Sequence, residues 1–147
     1  MRRAVFDSAV LVSAFLRPGG LSDQLLLLAA QGDFDLVLAP EIIGETWRKL
    51  LTSNRIRRRY AYSDERVHRF CRGLLRICDL VRGLPPIVAV ARDPNDDMVI
   101  ACAVKGQAES IITRDKDLLS ISPYRGVTII TPEAFRQQLR DAGYRPT

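Results

Sequence analysis

A chain of 147 residues, 47% apolar and 27% charged, has the length of one domain with a sizeable core, and its make-up excludes a disordered segment. Met1-Arg2-Arg3 leads into a short apolar run that Asp7 interrupts, and no other stretch reaches about 18 uncharged residues; neither a signal peptide nor a membrane span is expected, and the cytoplasm is the expected compartment. The 22 Lys and Arg against 17 Asp and Glu give a formal charge of +5, too small to name a partner by itself.

In chain order the sequence reads as strands alternating with helices, the pattern of a mostly parallel sheet covered on both faces. Ala4 to Phe6 is the first strand, ending at Asp7, and a helical turn or two follows through Val10, Leu11, Ala14 and Phe15 to Pro18-Gly19-Gly20. Ser22 is the expected cap of a Leu/Ala-rich helix that stops near Gly32. Leu36 to Ala39 is the second strand, and Pro40 opens a helix with Ile43, Trp47, Leu50 and Leu51 on one stripe. Thr52 to Tyr62 is polar and basic, a short helix or an exposed loop. Ser63 caps a long helix with Asp64 and Glu65 in its first turn, whose buried face runs Val67, Phe70, Cys71, Leu74, Cys78, Val81.

Gly83 to Pro86 breaks that helix, and Ile87 to Val90 is the expected third strand. Asp93-Pro94-Asn95-Asp96 resembles a cap, an N1 proline and an acidic first turn, leading into a helix through Val104 that ends at Gly106. Ser110 to Thr113 is the fourth strand, a short helix through Leu119 follows, and Val127 to Ile130 is the last strand. Thr131-Pro132-Glu133 opens a closing helix with Phe135 and Leu139 inward. A single domain over residues 1–147 is expected, with its core at about 4–140 and a frayed tail after Gly143.

Parallel sheets carry their sites at the C-terminal ends of the strands. Asp7 follows the first strand directly, and Asp115 lies just past the fourth. Glu45 and Asp97 lie in the first turns of helices that follow strands. Each acid alone also reads as a turn former or a helix-start residue; together, four segments deliver four carboxylates to one edge. Such a group repels itself unless a cation compensates it, and a hard divalent ion with oxygen ligands suits the set. His68, the one imidazole, belongs to a helix remote in sequence from these acids, and Cys71, Cys78 and Cys102 read as buried small hydrophobes, so a zinc site would need an unusual ligand set. Arg48, Lys49, Arg55, Arg57, Arg58 and Arg59 crowd one region, which reads either as a solvated surface or as a phosphate-backbone track.

Val5-Phe6-Asp7, Pro40-Glu41-Ile42-Ile43-Gly44-Glu45, Asp93-Pro94-Asn95-Asp96-Asp97 running into Ile100-Ala101-Cys102-Ala103, and Thr113-Arg114-Asp115-Lys116-Asp117-Leu118 occur in the order and spacing of a PIN domain. From Val5 to about Leu139 the chain resembles this family of ribonuclease domains, closest to its toxin–antitoxin toxin branch. The resemblance implies a three-layer α/β/α sandwich around a mainly parallel five-stranded sheet. It implies a quartet of Asp7, Glu45, Asp97 and Asp115 holding one or two Mg²⁺ or Mn²⁺ ions for hydrolysis of RNA, with Ser8, Thr113 and Asp117 supporting it. Arg55, Arg57, Arg58 and Arg59 are the candidate substrate contacts. A protein antitoxin is implied as a partner, and many relatives form homodimers. One departure is visible: Ala9 stands where many members carry asparagine, removing one amide that could steady the ligands.

Rival readings fare less well. A phospho-acceptor receiver domain needs paired acids at the first strand, and a haloacid-dehalogenase-like phosphatase needs an aspartate where Ala9 stands. Neither a P-loop nor a dinucleotide fingerprint is present. A catalytically weak PIN-like module that binds RNA or protein stays open as the alternative.

Overall fold

The computed structural model describes residues 2–86 and 94–143, with the side chains of 94 and 95 left aside. Five short strands, β1 (Arg3–Phe6), β2 (Asp35–Leu38), β3 (Cys78–Leu80), β4 (Ser110–Ile112) and β5 (Thr128–Ile130), form one parallel sheet in the order β3-β2-β1-β4-β5. The central strand explains why its sequence is a continuous apolar run rather than an alternating one. Ala4, Val5 and Phe6 are fully buried, as a strand covered on both faces requires.

Between β1 and β2 lie α1 (Ser8–Leu16) and α2 (Leu21–Ala30). Between β2 and β3 lie α3 (Pro40–Thr52), α4 (Asn54–Arg59) and α5 (Asp64–Ile77). After β3 come α6 (Pro94–Lys105), α7 (Lys116–Ser120) between β4 and β5, and the closing α8 (Pro132–Asp141). The strand order runs outward from β1 to β3 and then returns past β1 to β4, so right-handed crossovers put the two sets of helices on opposite faces. The packing agrees: α1, α2, α3, α5 and α8 associate with one another, while α6 lies against β1, β2 and β4. This is the expected three-layer α/β/α sandwich.

The core is apolar and close-fitted. Phe6, Phe34 and Phe135 meet with ring centroids 4.9–6.2 Å apart, joining β1 to α8. Phe15 of α1 meets Tyr62 and Phe70 at 4.9 and 5.3 Å. Gly106 closes α6 where a Cβ would come within 2.7 Å of Val37 Cγ1 and 2.9 Å of Val81 Cγ2, so the helix end approaches the sheet only because no side chain intervenes.

Two expectations need correction. The helix expected to run through Cys78 and Val81 stops at Ile77, and Cys78–Leu80 becomes the edge strand β3, pairing Val37 with Asp79. Arg3 rewards that pairing: its guanidinium lies 2.8 Å from Asp79 and 3.5 Å from Asp35 and donates to the Gly106 carbonyl. Ser22 does not cap α2, which starts a residue earlier behind Gly20, and Ser22 is buried in its first turn. The caps expected of Ser63 and Thr131 are present, each hydroxyl accepting from the amide three residues on. The strand expected at Ile87 to Val90, the Asp93 cap and the tail beyond Gly143 lie outside the described residues.

Candidate active site

The sheet register delivers two of the predicted acids to the same place. Phe6 pairs with Ile112, and Ile112 with Ile130. The next residues, Asp7 and Thr113, are therefore neighbours at the C-terminal edge, and the Asp7 amide still reaches the Ile112 carbonyl at 3.3 Å. Strand order reverses between β1 and β4, so this edge is the topological switch point, where the first turns of the following helices diverge and leave a crevice.

Asp7 is 6% exposed and serves two local purposes. Its Oδ1 accepts from the Val10 amide at 2.9 Å, capping α1, and its Oδ2 accepts a short hydrogen bond from the Thr113 hydroxyl. Thr113 is fully buried, and its oxygen in turn accepts from the Asp115 amide at 3.0 Å. One threonine thus meets the Asp7 carboxylate and the Asp115 main chain. Asp115 is exposed, and its Oδ1 accepts from the amides of Asp117 and Leu118 at 2.7 and 3.3 Å, capping α7. Asp117 is exposed on that short helix. Burial raises the Asp7 pKa above its ordinary value; the Thr113 and Val10 hydrogen bonds and the Lys49 charge oppose the rise, and the Asp115 charge adds to it.

The α3 helix adds a feature the sequence reading assigned elsewhere. Glu45 is buried in the second turn of α3 rather than the first, and Lys49, one turn on, brings its Nζ to 3.2 Å from Glu45 Oε1 and 3.0 Å from Ser8 Oγ. Lys49 therefore belongs to the acidic centre, not to the surface track of arginines. Its charge also opposes the rise in the Asp7 pKa, so one cation serves both Asp7 and Glu45. The spacing of four from Glu45 was the available signal.

Asp97 is delivered by another helix. It is partly buried in the first turn of α6 and lines a hollow of about 320 Å³ with Glu41, Leu84, Pro85, Pro86 and Met98. Glu41, in the first turn of α3, was not among the predicted acids. Asp96, beside Asp97, is the more buried of the two, at 8% exposed. Among the described residues, no three His, Cys, Asp or Glu side chains form a group able to hold a metal ion.

The arginines divide as well. Arg57 is committed to the fold, donating to the Leu50 carbonyl at 3.1 Å and to Asp64 at 2.6 Å, with its guanidinium 4.7 Å from the Tyr62 ring centre. Arg55, Arg58 and Arg59 are exposed. His68 accepts from Trp47 Nε1 at 2.8 Å and ties α5 to α3. Cys71, Cys78 and Cys102 are free thiols; burial pushes Cys71 and Cys102 up to about 12, which leaves them unreactive near neutrality. No helix among the described residues is long and apolar enough to cross a membrane.

A five-stranded parallel α/β/α sandwich with acids at its switch point defines a class of domain rather than one protein. Within that class the chain belongs to the PIN-domain family, whose family model matches residues 3–117. The fold is similar to the crystal structure of VapBC2 from Rickettsia felis bound to a DNA fragment from their promoter, at 11% identity and a TM-score of 0.59 over 88% of this chain and 98% of that one. It is similar also to PAE2754 from Pyrobaculum aerophilum, at 16% identity and a TM-score of 0.60 over 95% of this chain and 90% of that one. Comparison with curated protein sequences gives no match.

Proposed function

We propose that the chain is a divalent-metal-dependent endoribonuclease, the toxin of a toxin–antitoxin pair, cutting phosphodiester bonds at the β1–β4 crevice. The observation that carries the reading is Thr113, which donates to the buried Asp7 carboxylate and accepts from the main-chain amide of the exposed Asp115 at the switch point of a PIN-domain sheet.

The donor chemistry fits a hard cation. Asp7 is a carboxylate whose burial disfavours its charge, the surrounding acids offer oxygen only, and Lys49 already supplies a positive charge to the same acids. Asp7 and Asp115 would hold Mg²⁺ or Mn²⁺, one ion or two, with Glu45 and Asp97 from the flanking helices completing the set. Such an ion supplies an activated water and neutralises charge building on the phosphoryl oxygens.

The chain's own residues do the rest. Thr113 fixes the rotamers of Asp7 and the start of α7. Ser8 and Lys49 keep Glu45 directed at the crevice, Asp117 adds negative charge at its rim, and Arg55, Arg58 and Arg59 attract the phosphate backbone of an RNA chain. Arg57 acts indirectly, by holding α4, which carries the other three. The preference for RNA over DNA, and the antitoxin that would restrain the enzyme, rest on the resemblance to toxin members of the family; a homodimer is proposed on the same ground.

A second reading, a catalytically weak module that binds RNA or a protein, is favoured by one observation, the lack of a grouped metal-ligand set among the described residues. Incubating the protein with single-stranded RNA, structured RNA and DNA, with Mn²⁺ and with chelator, separates the two. The proposal expects Mn²⁺-dependent cuts in RNA that Asp7→Asn abolishes. Binding without cutting at any metal concentration establishes the second reading instead.

A further inference from the structure

Beside the crevice lies a hollow of about 250 Å³, lined by Ala9, Val12, Leu16, Arg17, Tyr60 and Arg114 among others. Its position is set by the site itself. Ala9 follows Asp7-Ser8 on one side, and Arg114 immediately precedes Asp115 on the other. A chain lying across the acids can therefore reach this hollow.

Its chemistry is of two kinds. The floor is the outer face of α1, where Val12 and Leu16 lie one turn apart, so it is apolar and built on a rigid helix. The rim is cationic and aromatic. Arg17 and Arg114 are exposed, and the partly exposed Tyr60 carries the Arg59 guanidinium 5.8 Å from its ring centre. Arg114 is fixed by a two-pronged pair with Glu133, at 2.7 Å through each nitrogen. The volume falls below the roughly 300–1,000 Å³ of pockets that enclose drug-sized ligands, and suits a single flat ring. An apolar floor, one phenol and guanidinium groups at the rim match an unstacked nucleobase and the phosphates on either side of it. A cationic peptide segment would meet like charge.

We propose that this hollow is a nucleobase subsite: Tyr60 stacks on the base next to the cut, α1 floors it, and Arg17 holds the adjoining phosphate. The assignment rests on the ribonuclease reading and adds to it a residue-level source of substrate preference. Tyr60 and Arg17 lie outside the acidic centre, so their loss weakens substrate binding and leaves Mn²⁺ binding as it was.

Fluorescence anisotropy with a labelled single-stranded RNA dodecamer tests it, using the full chain carrying Asp7→Asn to prevent cutting. Adding Tyr60→Leu should weaken binding about tenfold, Tyr60→Phe should preserve it, and Arg17→Gln should weaken it and flatten its salt dependence. The Tyr60→Leu effect should vanish against a fully abasic dodecamer, because the ring then has no base to stack on. Equal binding by Tyr60→Leu and the Asp7→Asn parent overturns the subsite. So does an equal loss of affinity for a poly-glutamate peptide of matched charge, which would make the hollow a docking point for an acidic protein segment. Failure of the unmodified chain to cut RNA in Mn²⁺ is a separate result and sinks the underlying reading instead.

Discussion

The hydroxyl of Thr113 donates to the carboxylate of Asp7 across 106 residues of chain, because the β1–β4 register sets the two side by side one residue beyond the last strand pair. Asp7 is buried and Thr113 more so; the bond is therefore expected to matter both to stability and to the site. Thr113→Val leaves a buried carboxylate short of a donor and should cost about 1–3 kcal/mol at neutral pH. Thr113→Ser should recover most of it. Urea unfolding of both variants checks this, and equal midpoints for parent and Thr113→Val contradict it.

Asp7→Asn should behave in the opposite sense to most replacements of a buried polar residue. Burial raises the folded-state pKa of Asp7 above the ordinary 3.8, so in the window just above 3.8 the folded chain binds the proton more tightly than the unfolded one. Stability from this group is full below that window and falls as pH rises through the folded pKa. Asparagine keeps an oxygen acceptor for the Val10 amide and removes the charge. Metal-free Asp7→Asn should melt at or above the parental temperature at pH 7, with the gap closing as pH falls toward 4. A variant that melts lower across the whole range shows that the charge itself stabilises the fold.

Lys49 lies among the acids of the candidate site, 3.2 Å from Glu45 and 3.0 Å from Ser8. A divalent ion entering among the same acids meets its repulsion. Lys49→Met should therefore lower metal-free stability, by about 1 kcal/mol for so partly exposed a pair, and tighten Mn²⁺ binding about tenfold. Calorimetric titration with Mn²⁺ reads the second effect directly. Weaker binding in the variant would mean that Lys49 chiefly holds Glu45 in place.

The arginines of α4 should separate into two kinds. Arg57→Ala removes contacts to Leu50, Asp64 and Tyr62 and should lower the melting temperature. Arg55, Arg58 and Arg59 replaced together by alanine should leave it unchanged while reducing the salt slope of RNA binding by roughly two units, at about 0.7 per phosphate contact on a single strand. Melting curves and anisotropy over a salt series measure both. An unchanged slope in the triple variant removes these residues from the substrate path.

Much of the fold is legible in the sequence, because the signals are local. Apolar runs ending in acids fixed Asp7 and Asp115 at one edge, and Ser63 and Thr131 announced helix starts that the structure contains. Where the reading slipped, two local signals competed. Cys78 and Val81 continue the helical spacing of Val67, Cys71 and Leu74, and nothing within that stretch reveals that Asp79 has a partner in Arg3, 76 residues earlier by number. Ser22 is a good cap by type, yet the chain turns at Gly20 and the helix starts before it. Lys49 reads as one more basic residue in a basic stretch; only folding places it among acids. Asp97 illustrates the remaining limit, since a position in the first turn of a helix fixes the edge it occupies but not the hollow it lines.

The most direct test of the central claim is an anomalous difference map from crystals of the protein soaked in Mn²⁺. The account predicts a peak about 2.1 Å from carboxylate oxygens of Asp7 and Asp115, with the Lys49 ammonium moved away from Glu45. A peak held only by Glu41 and Asp97, or no peak in crystals of a protein that cuts RNA in the same Mn²⁺ buffer, would contradict it.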